Sequence, residues 1–467
     1  MRLLFLILPF LLSSSFLHAQ QDPAREVQDI DRQTSEPRQR MQTQAEIDAV
    51  VAENRKREIG QSGPEVTYEQ VMADPDNIEL NYRYALSRVG RGDLRAAAST
   101  LERILLVKKD LPKVKLLYAV ILFRLDNLEE SERILTELRK EEMPASLRAE
   151  LEDYISQIRA KRRKAHLGVL VGSGLDYDEN KNAAPSTGRR LFLDIPIVLF
   201  TGTRQRDVAA VMMAGIDADY DLGFQAGHKV FAGLNYYRVE QADMGNLNLQ
   251  VYGADMGVKL KGRWGEFTPS FGFTHLLLAQ TTYMRGHEVK GRFERKLNKS
   301  LNAYFDAGYG RSEFTRTQIV PAGPQRTGDK FNVGAGLTLG VAPTRKVTLS
   351  YDHSRTGALE GFNSYDREAM TLSHTWLLGK GMFLLKSATW SFDFYDKAET
   401  VISRNCRRDE TIRARATYGL PLSLFWKPMK GFTWTASYEY FRSLSNLESY
   451  AYTNNKISTM MTYKWDL

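Results

Sequence analysis

The chain has 467 residues, too many for one ordinary domain, so two or three are expected. Its 64 basic and 56 acidic residues give +8, a mild and dispersed excess that argues against nucleic acid as a partner. The single cysteine, Cys406, excludes an internal disulfide and a four-cysteine metal site.

Residues 1–19 read as an export signal. Arg2 supplies the positive end, LLFLILPFLL the apolar stretch, and LHA before Gln20 ends on a small residue. No other segment approaches 18 uninterrupted apolar residues, so a membrane would not be entered by helices. Residues 20–65 are polar and poor in aromatics, a flexible lead with room for a short helix around Ala45–Arg57.

From 66 to 164 the periodicity is helical. At an offset of 34 residues, YALSRVGRGDLRAAASTLERIL from Tyr84 aligns with YAVILFRLDNLEESERILTELR from Tyr118, matching Ala85 to Ala119 and Leu101 to Leu135. Thirty-four is the tetratricopeptide period, one helix–turn–helix per repeat, so an all-α tetratricopeptide-like domain is expected. The inner face of the first helix of each pair would carry Tyr82, Leu86 and Val89, then Leu116, Val120 and Phe123. Two readings stay open for these six: a groove for a polypeptide, or packing between helices.

From 165 to 467 a two-residue beat takes over. FNVGAGLTLGV sets Phe331, Val333, Ala335, Leu337 and Leu339 against Asn332, Gly334, Gly336 and Thr338, and the final stretch KISTMMTYKWDL alternates in the same way. Long strands with full charges on the polar face fit an all-β transmembrane barrel, apolar toward lipid and polar toward a wet lumen. Fourteen antiparallel strands are expected, the first near 165–176 and the last near 454–467. Short turns such as GRWG, NK, APT and LGK alternate with long loops such as SEFTRTQIVPAGPQRTGD. That asymmetry puts both barrel ends, and the helical domain, in the periplasm. The segment 189–200, RRLFLDIPIVLF, could be a further strand, but Pro196 and the even count favour a structured part of the first loop. The closing strand must bond to the first, because no backbone group can stay unpaired in lipid. Its aromatic tail is also the kind of terminal signal that barrel-assembly machinery reads.

Signal, short repeat domain and terminal barrel together resemble the surface lipoprotein assembly modulator (Slam) family. GLDYDENKN at 174–182 looks like that family's end of the first barrel strand, with Tyr177, Asp178, Asn180 and Asn182 at its motif positions. RRD at 407–409 and the stretch around Ser445 and Asn446 add to the likeness. Lys181 departs from it, standing where a small apolar residue is usual, as does the final Leu467. The resemblance implies an outer-membrane translocon that moves specific lipoproteins, or soluble effector proteins, to the cell surface. Strands ~4.8 Å apart and tilted ~40° give fourteen of them a lumen of roughly 15 Å, which passes an extended chain or hairpin but no folded domain.

Other chemistry is weak. Asp176, Asp178, Asn180 and Asn182 alternate like the start of a calcium loop, but Lys181 and Thr187 replace its glycine and glutamate, so a hydrogen-bonded strand end is the better reading. Asp352, His353 and Ser354 are consecutive on a strand and point to opposite faces, which denies them a relay. No catalytic residue, cofactor or metal is expected. Expected partners are a client lipoprotein or secreted protein, outer-membrane lipid and the assembly machinery, with the chain itself a monomer. The basic stretch RAKRRKAH, 159–166, is placed to meet anionic headgroups. Competing functions are an exopolysaccharide export porin with a repeat scaffold, for which the mixed signs of Asp306, Arg413, Arg415 and Glu439 are unsuited, and a passive pore or barrel enzyme.

Overall fold

The computed structural model describes residues 66–141, 145–198, 203–224 and 226–466. The expected export signal, the polar lead and Leu467 lie outside the described residues. The chain divides into two compact units, one ending at Arg163 and the other taking up at Lys164.

The first unit contains α1 (Tyr68–Ala73), α2 (Ile78–Gly90), α3 (Leu94–Val107), α4 (Pro112–Arg124), α5 (Leu128–Leu138) and α6 (Ala145–Arg162). Local chemistry sets the starts. Thr67 and Gln70 cap α1 reciprocally. Asn77 accepts from the Leu80 amide at 3.1 Å to begin α2, and Asp93 accepts from Ala96 at 3.2 Å to begin α3. Pro112 opens α4, where its missing N–H is no loss. The starts of α2 and α4 are 34 residues apart, as are those of α3 and α5, so the internal match becomes a repeated helix pair.

Matched residues occupy matched places. Ala85, Ala119, Leu101 and Leu135 are all completely buried. The Ser131 hydroxyl donates to the Ala119 carbonyl at 2.7 Å, a contact that needs close approach of α4 and α5. Helix α4 is buried on two sides. Val114, Leu117 and Ile121 face the α2–α3 core, while Leu116, Val120 and Leu122 face α5 and α6. That is why its sequence is apolar almost all round.

The second unit is a closed barrel of fourteen antiparallel strands. They are β1 (Ala165–Asp178), β4 (Asp207–Asp221), β5 (Lys229–Gln241), β6 (Leu249–Gly262), β7 (Gly265–Leu278), β8 (Thr281–Lys296) and β9 (Leu301–Phe314). Then come β10 (Gly328–Ala342), β11 (Arg345–Ala358), β12 (Tyr365–Gly379), β13 (Met382–Tyr395), β14 (Arg408–Pro421), β15 (Phe432–Ser445) and β16 (Tyr452–Asp466). Each pairs with its sequence neighbours, and β1 closes the ring by pairing with both β4 and β16. The closing register runs from Gly168 opposite Asp466 to Asp178 opposite Lys456, so the last strand is paired to its end. The described part of the segment 189–200, residues 189–198, contributes no barrel strand. It forms a two-stranded hairpin, β2 (Arg189–Phe192) with β3 (Ile195–Val198), turning through Leu193 and Asp194 at positive φ.

Loop lengths alternate with two departures from expectation. The outer connection between β7 and β8 is only Ala279 and Gln280, both at positive φ, a tight turn that fits strand twist. The inner connection 422–431 is long. The outward face is a lipid-facing band: Phe305, Phe331, Leu337, Leu349 and Leu372 are all exposed. Exposed Tyr252, Tyr309 and Trp390 lie toward the long-loop end, and exposed Trp264 and Trp465 toward the short-turn end. An apolar belt edged by aromatics marks an outer-membrane barrel, with its long-loop end outside.

Candidate functional site: the lumen and its outer mouth

The inner half of the lumen is polar and its wall is thin. Glycines let neighbouring rings lie flat against the strands. A Cβ on Gly336 would come within 2.4 Å of the Tyr304 ring, and one on Gly419 within 2.0 Å of Phe383. Charges of both signs line this space. Arg413 and Arg415 each stand 3.9 Å from Glu439, and Arg292 is 3.9 Å from Asp306; nearer the outer mouth, Lys456 is 2.7 Å from Asp176. The four residues whose signs are mixed in the sequence therefore share the lumen. Asp352 and Ser354 also point inward. His353 points outward and bonds Glu368 at 2.8 Å, so these three form no relay.

One side of the outer half, lined by β4 to β8, departs from the expectation of a wet lumen. Inward-facing Val211, Met213, Val239, Val251, Leu276 and Leu278 are all buried, in one apolar cluster with Leu247 and Val320 from two outer loops. Loop 315–327 thus sends Val320 into the barrel, where it is 1% exposed, with Ile319 packed beside it. Tyr283 holds that loop. The register shift between Leu276 and Leu277 adds a residue to β8, and the Tyr283 ring is wholly buried. Its hydroxyl accepts from Arg326 at 3.2 Å and its carbonyl from the Thr315 amide at 2.8 Å.

On the opposite side of the mouth three more loop segments pack together. Leu191 of the β2–β3 hairpin packs with Ile402, Leu447 and Tyr450. The Leu193 and Asp194 amides donate to the carbonyls of Val401 and Ile402, each at 2.9 Å, and Arg189 pairs with Glu448 at 2.7 Å. Below them Arg407 stacks on Tyr450 and Tyr395 and pairs with Asp409. Asp409 holds the Arg407 guanidinium firmly protonated, although burial alone would push the other way. Cys406 is free and exposed in the same loop.

The strand end at 174–182 builds this lid. Asn180 donates to the carbonyls of Ala184 and Thr453, both at 3.0 Å, and its side-chain oxygen accepts from the Ala184 amide. Asn182 donates to Thr203 and accepts from Gln205. Asp178 accepts from the Asn180 amide at 3.2 Å, while Tyr177 points outward and is exposed. Lys181 is buried among them, its ammonium pulled below its ordinary value by burial. Among the described residues no group of three metal-binding side chains occurs.

The six helical residues fall into packing positions. Val89 is buried in the α2–α4 core with Tyr82 and Leu86 packed against it, and Leu116 and Val120 are buried in the α4–α6 core with Phe123 against them. Sequence reasoning missed the apolar outer lumen. The available signal was loss of alternation in VAAVMMAGI at 208–216 and HLLLA at 275–279, runs apolar on both faces.

No protein-family profile and no curated protein matches the chain. Among solved structures, the anion-selective porin from Comamonas acidovorans superposes with TM-score 0.37 at 8% identity, covering 64% of this chain and 99% of that one. OccAB1 of Acinetobacter baumannii gives 0.35 at 8%, covering 65% and 97%. The outer membrane protein OpdK of Pseudomonas aeruginosa gives 0.32 at 8%, covering 65% and 99%. These are similarities too slight to argue from, and the barrel rests on its own strand pairing.

Proposed function

We propose that this outer-membrane barrel is a gated translocon for protein clients, moving surface lipoproteins or soluble effectors outward, with a tetratricopeptide-like periplasmic domain that receives them. The observation that carries the reading is the combination of a thin-walled, mixed-charge inner lumen with an outer mouth into which the barrel's own loops send apolar residues. A passive pore needs an open mouth. An anionic polymer would favour a lumen of one sign. A polypeptide of arbitrary sequence suits walls carrying both, and the loops would withdraw when it arrives.

Clients would enter unfolded and fold outside, which traps them there, since the periplasm supplies no ATP. A lipid anchor cannot cross a wet lumen cheaply at ~0.8 kcal/mol per CH₂, so acyl chains would slip along the seam between β1 and β16. The test is deletion of the gene followed by protease shaving of whole cells. Loss of one surface protein supports the reading, whereas loss of surface polysaccharide with every surface protein intact overturns it. A disulfide across the β1–β16 pair should stop lipidated clients and spare soluble ones.

A further inference from the structure

We infer that the short-turn rim of the barrel is a seat for anionic phospholipid headgroups of the inner leaflet. The inference rests on the barrel spanning a membrane and not on what passes through it.

Charge divides by height on the outward face. Among the described residues, the acidic side chains that point outward from the strands, Glu240, Glu313, Asp329, Asp366, Glu368 and Glu410, all lie near the long-loop ends. The inner turns 263–264, 297–300, 343–344, 380–381 and 422–431 contain no aspartate or glutamate. They carry Arg263, Lys299, Lys380, Lys427 and Lys430, all exposed, and none of the five forms an ion pair among the described residues.

Aromatics accompany these cations. Arg263 stacks over Trp264 at 4.7 Å, and Arg295 reaches the same ring at 5.8 Å. Trp264 is 62% exposed. Turn 422–431 puts Phe425 and Trp426 into the open at 76% and 63%, directly before Lys427. Exposed rings beside unpaired cations suit one environment, the boundary where acyl chains meet headgroups. The headgroups should be anionic, because these exposed turn cations form no ion pair within the described protein while every outward-facing strand acid stands at the opposite end. A protein partner for this rim would need a strongly acidic face.

The test uses the full chain in nanodiscs of phosphatidylethanolamine with and without cardiolipin, read by native mass spectrometry after release. Retained cardiolipin should exceed retained phosphatidylethanolamine by about tenfold or more, given the attraction of each surface cation for an anionic leaflet. The preference should vanish in the triple variant Arg263→Ser, Lys427→Ser, Lys430→Ser. All three positions are exposed turn residues, and heat-modifiable migration on gels verifies that the variant barrel is folded. Equal retention of the two lipids, or an unchanged preference in the folded variant, overturns the inference. A photo-crosslinker at Trp426 gives a second readout: adducts with lipid support the seat, and adducts with residues 66–163 overturn it.

Discussion

Arg407 lies over the face of Tyr450, its guanidinium carbon 3.5 Å from the ring centroid, while its Nε donates to Asp409 at 2.7 Å. One cation thus joins loop 396–407, loop 446–451 and the first turn of β14. Asp409 has a side chain only 1% exposed, so removing Arg407 strands a buried carboxylate. Arg407→Met should destabilise the closed mouth by about 3–5 kcal/mol. Brief open events in planar bilayers and faster protease cutting within 396–407 would register this. Adding Asp409→Asn should restore part of the closure.

Val320 is 1% exposed within the apolar cluster, so Val320→Asp puts a carboxylate among apolar neighbours. The expected result is expulsion of loop 315–327 and a lasting rise in single-channel conductance, with the barrel still folded on semi-native gels. Unchanged conductance would mean that this loop does not block the mouth.

Gly174 stands in the closing pair, where a Cβ would come within 2.1 Å of the Thr459 carbonyl. Gly174→Val should therefore loosen the β1–β16 seam, costing about 1–3 kcal/mol and lowering the temperature of gel-shift unfolding. Gly340→Ala is the control, since its nearest neighbour, the Ser300 carbonyl, would be 3.6 Å away. That substitution should leave unfolding unchanged.

Ala119→Leu should unfold the helical unit and spare the barrel. Ala119 is wholly buried, and its carbonyl receives the Ser131 hydroxyl. Overpacking there costs about 1–3 kcal/mol. Circular dichroism at the helical minimum should show an earlier helical transition, with the strand signal melting as before.

Burial holds the Glu399 carboxyl above its ordinary value, against the opposing pull of the Tyr450 hydroxyl and the Arg407 charge. Closure therefore favours the protonated acid. It should be firmest below the ordinary carboxylate range and weaken as pH rises through the raised value. Channel opening frequency measured between mildly acid and neutral pH should rise with pH in the wild type and stay flat in Glu399→Gln.

The architecture was legible because each barrel strand meets lipid on one face, which imposes a two-residue beat on residues such as Phe331 to Leu339. The helical repeat was legible because Ala85 and Ala119, 34 residues apart, solve the same packing problem. Pro196 and the even strand count were local signals too, and they kept 189–200 out of the barrel count, although the hairpin itself was not foreseen.

Nothing local specified the mouth. Val320 shares one cluster with Val211, and Leu191 packs against the cluster that holds Ile402, across more than a hundred residues of intervening chain. Loop composition does not say whether a loop stands in solvent or folds into a cavity, since either can satisfy its backbone. A helical unit and a lipid-facing cylinder could be read from the residues alone, because periodicity records which neighbour each side chain meets along one element. That loops pack into the outer mouth emerges only in the folded ring, because it depends on which distant loops share the space that ring encloses.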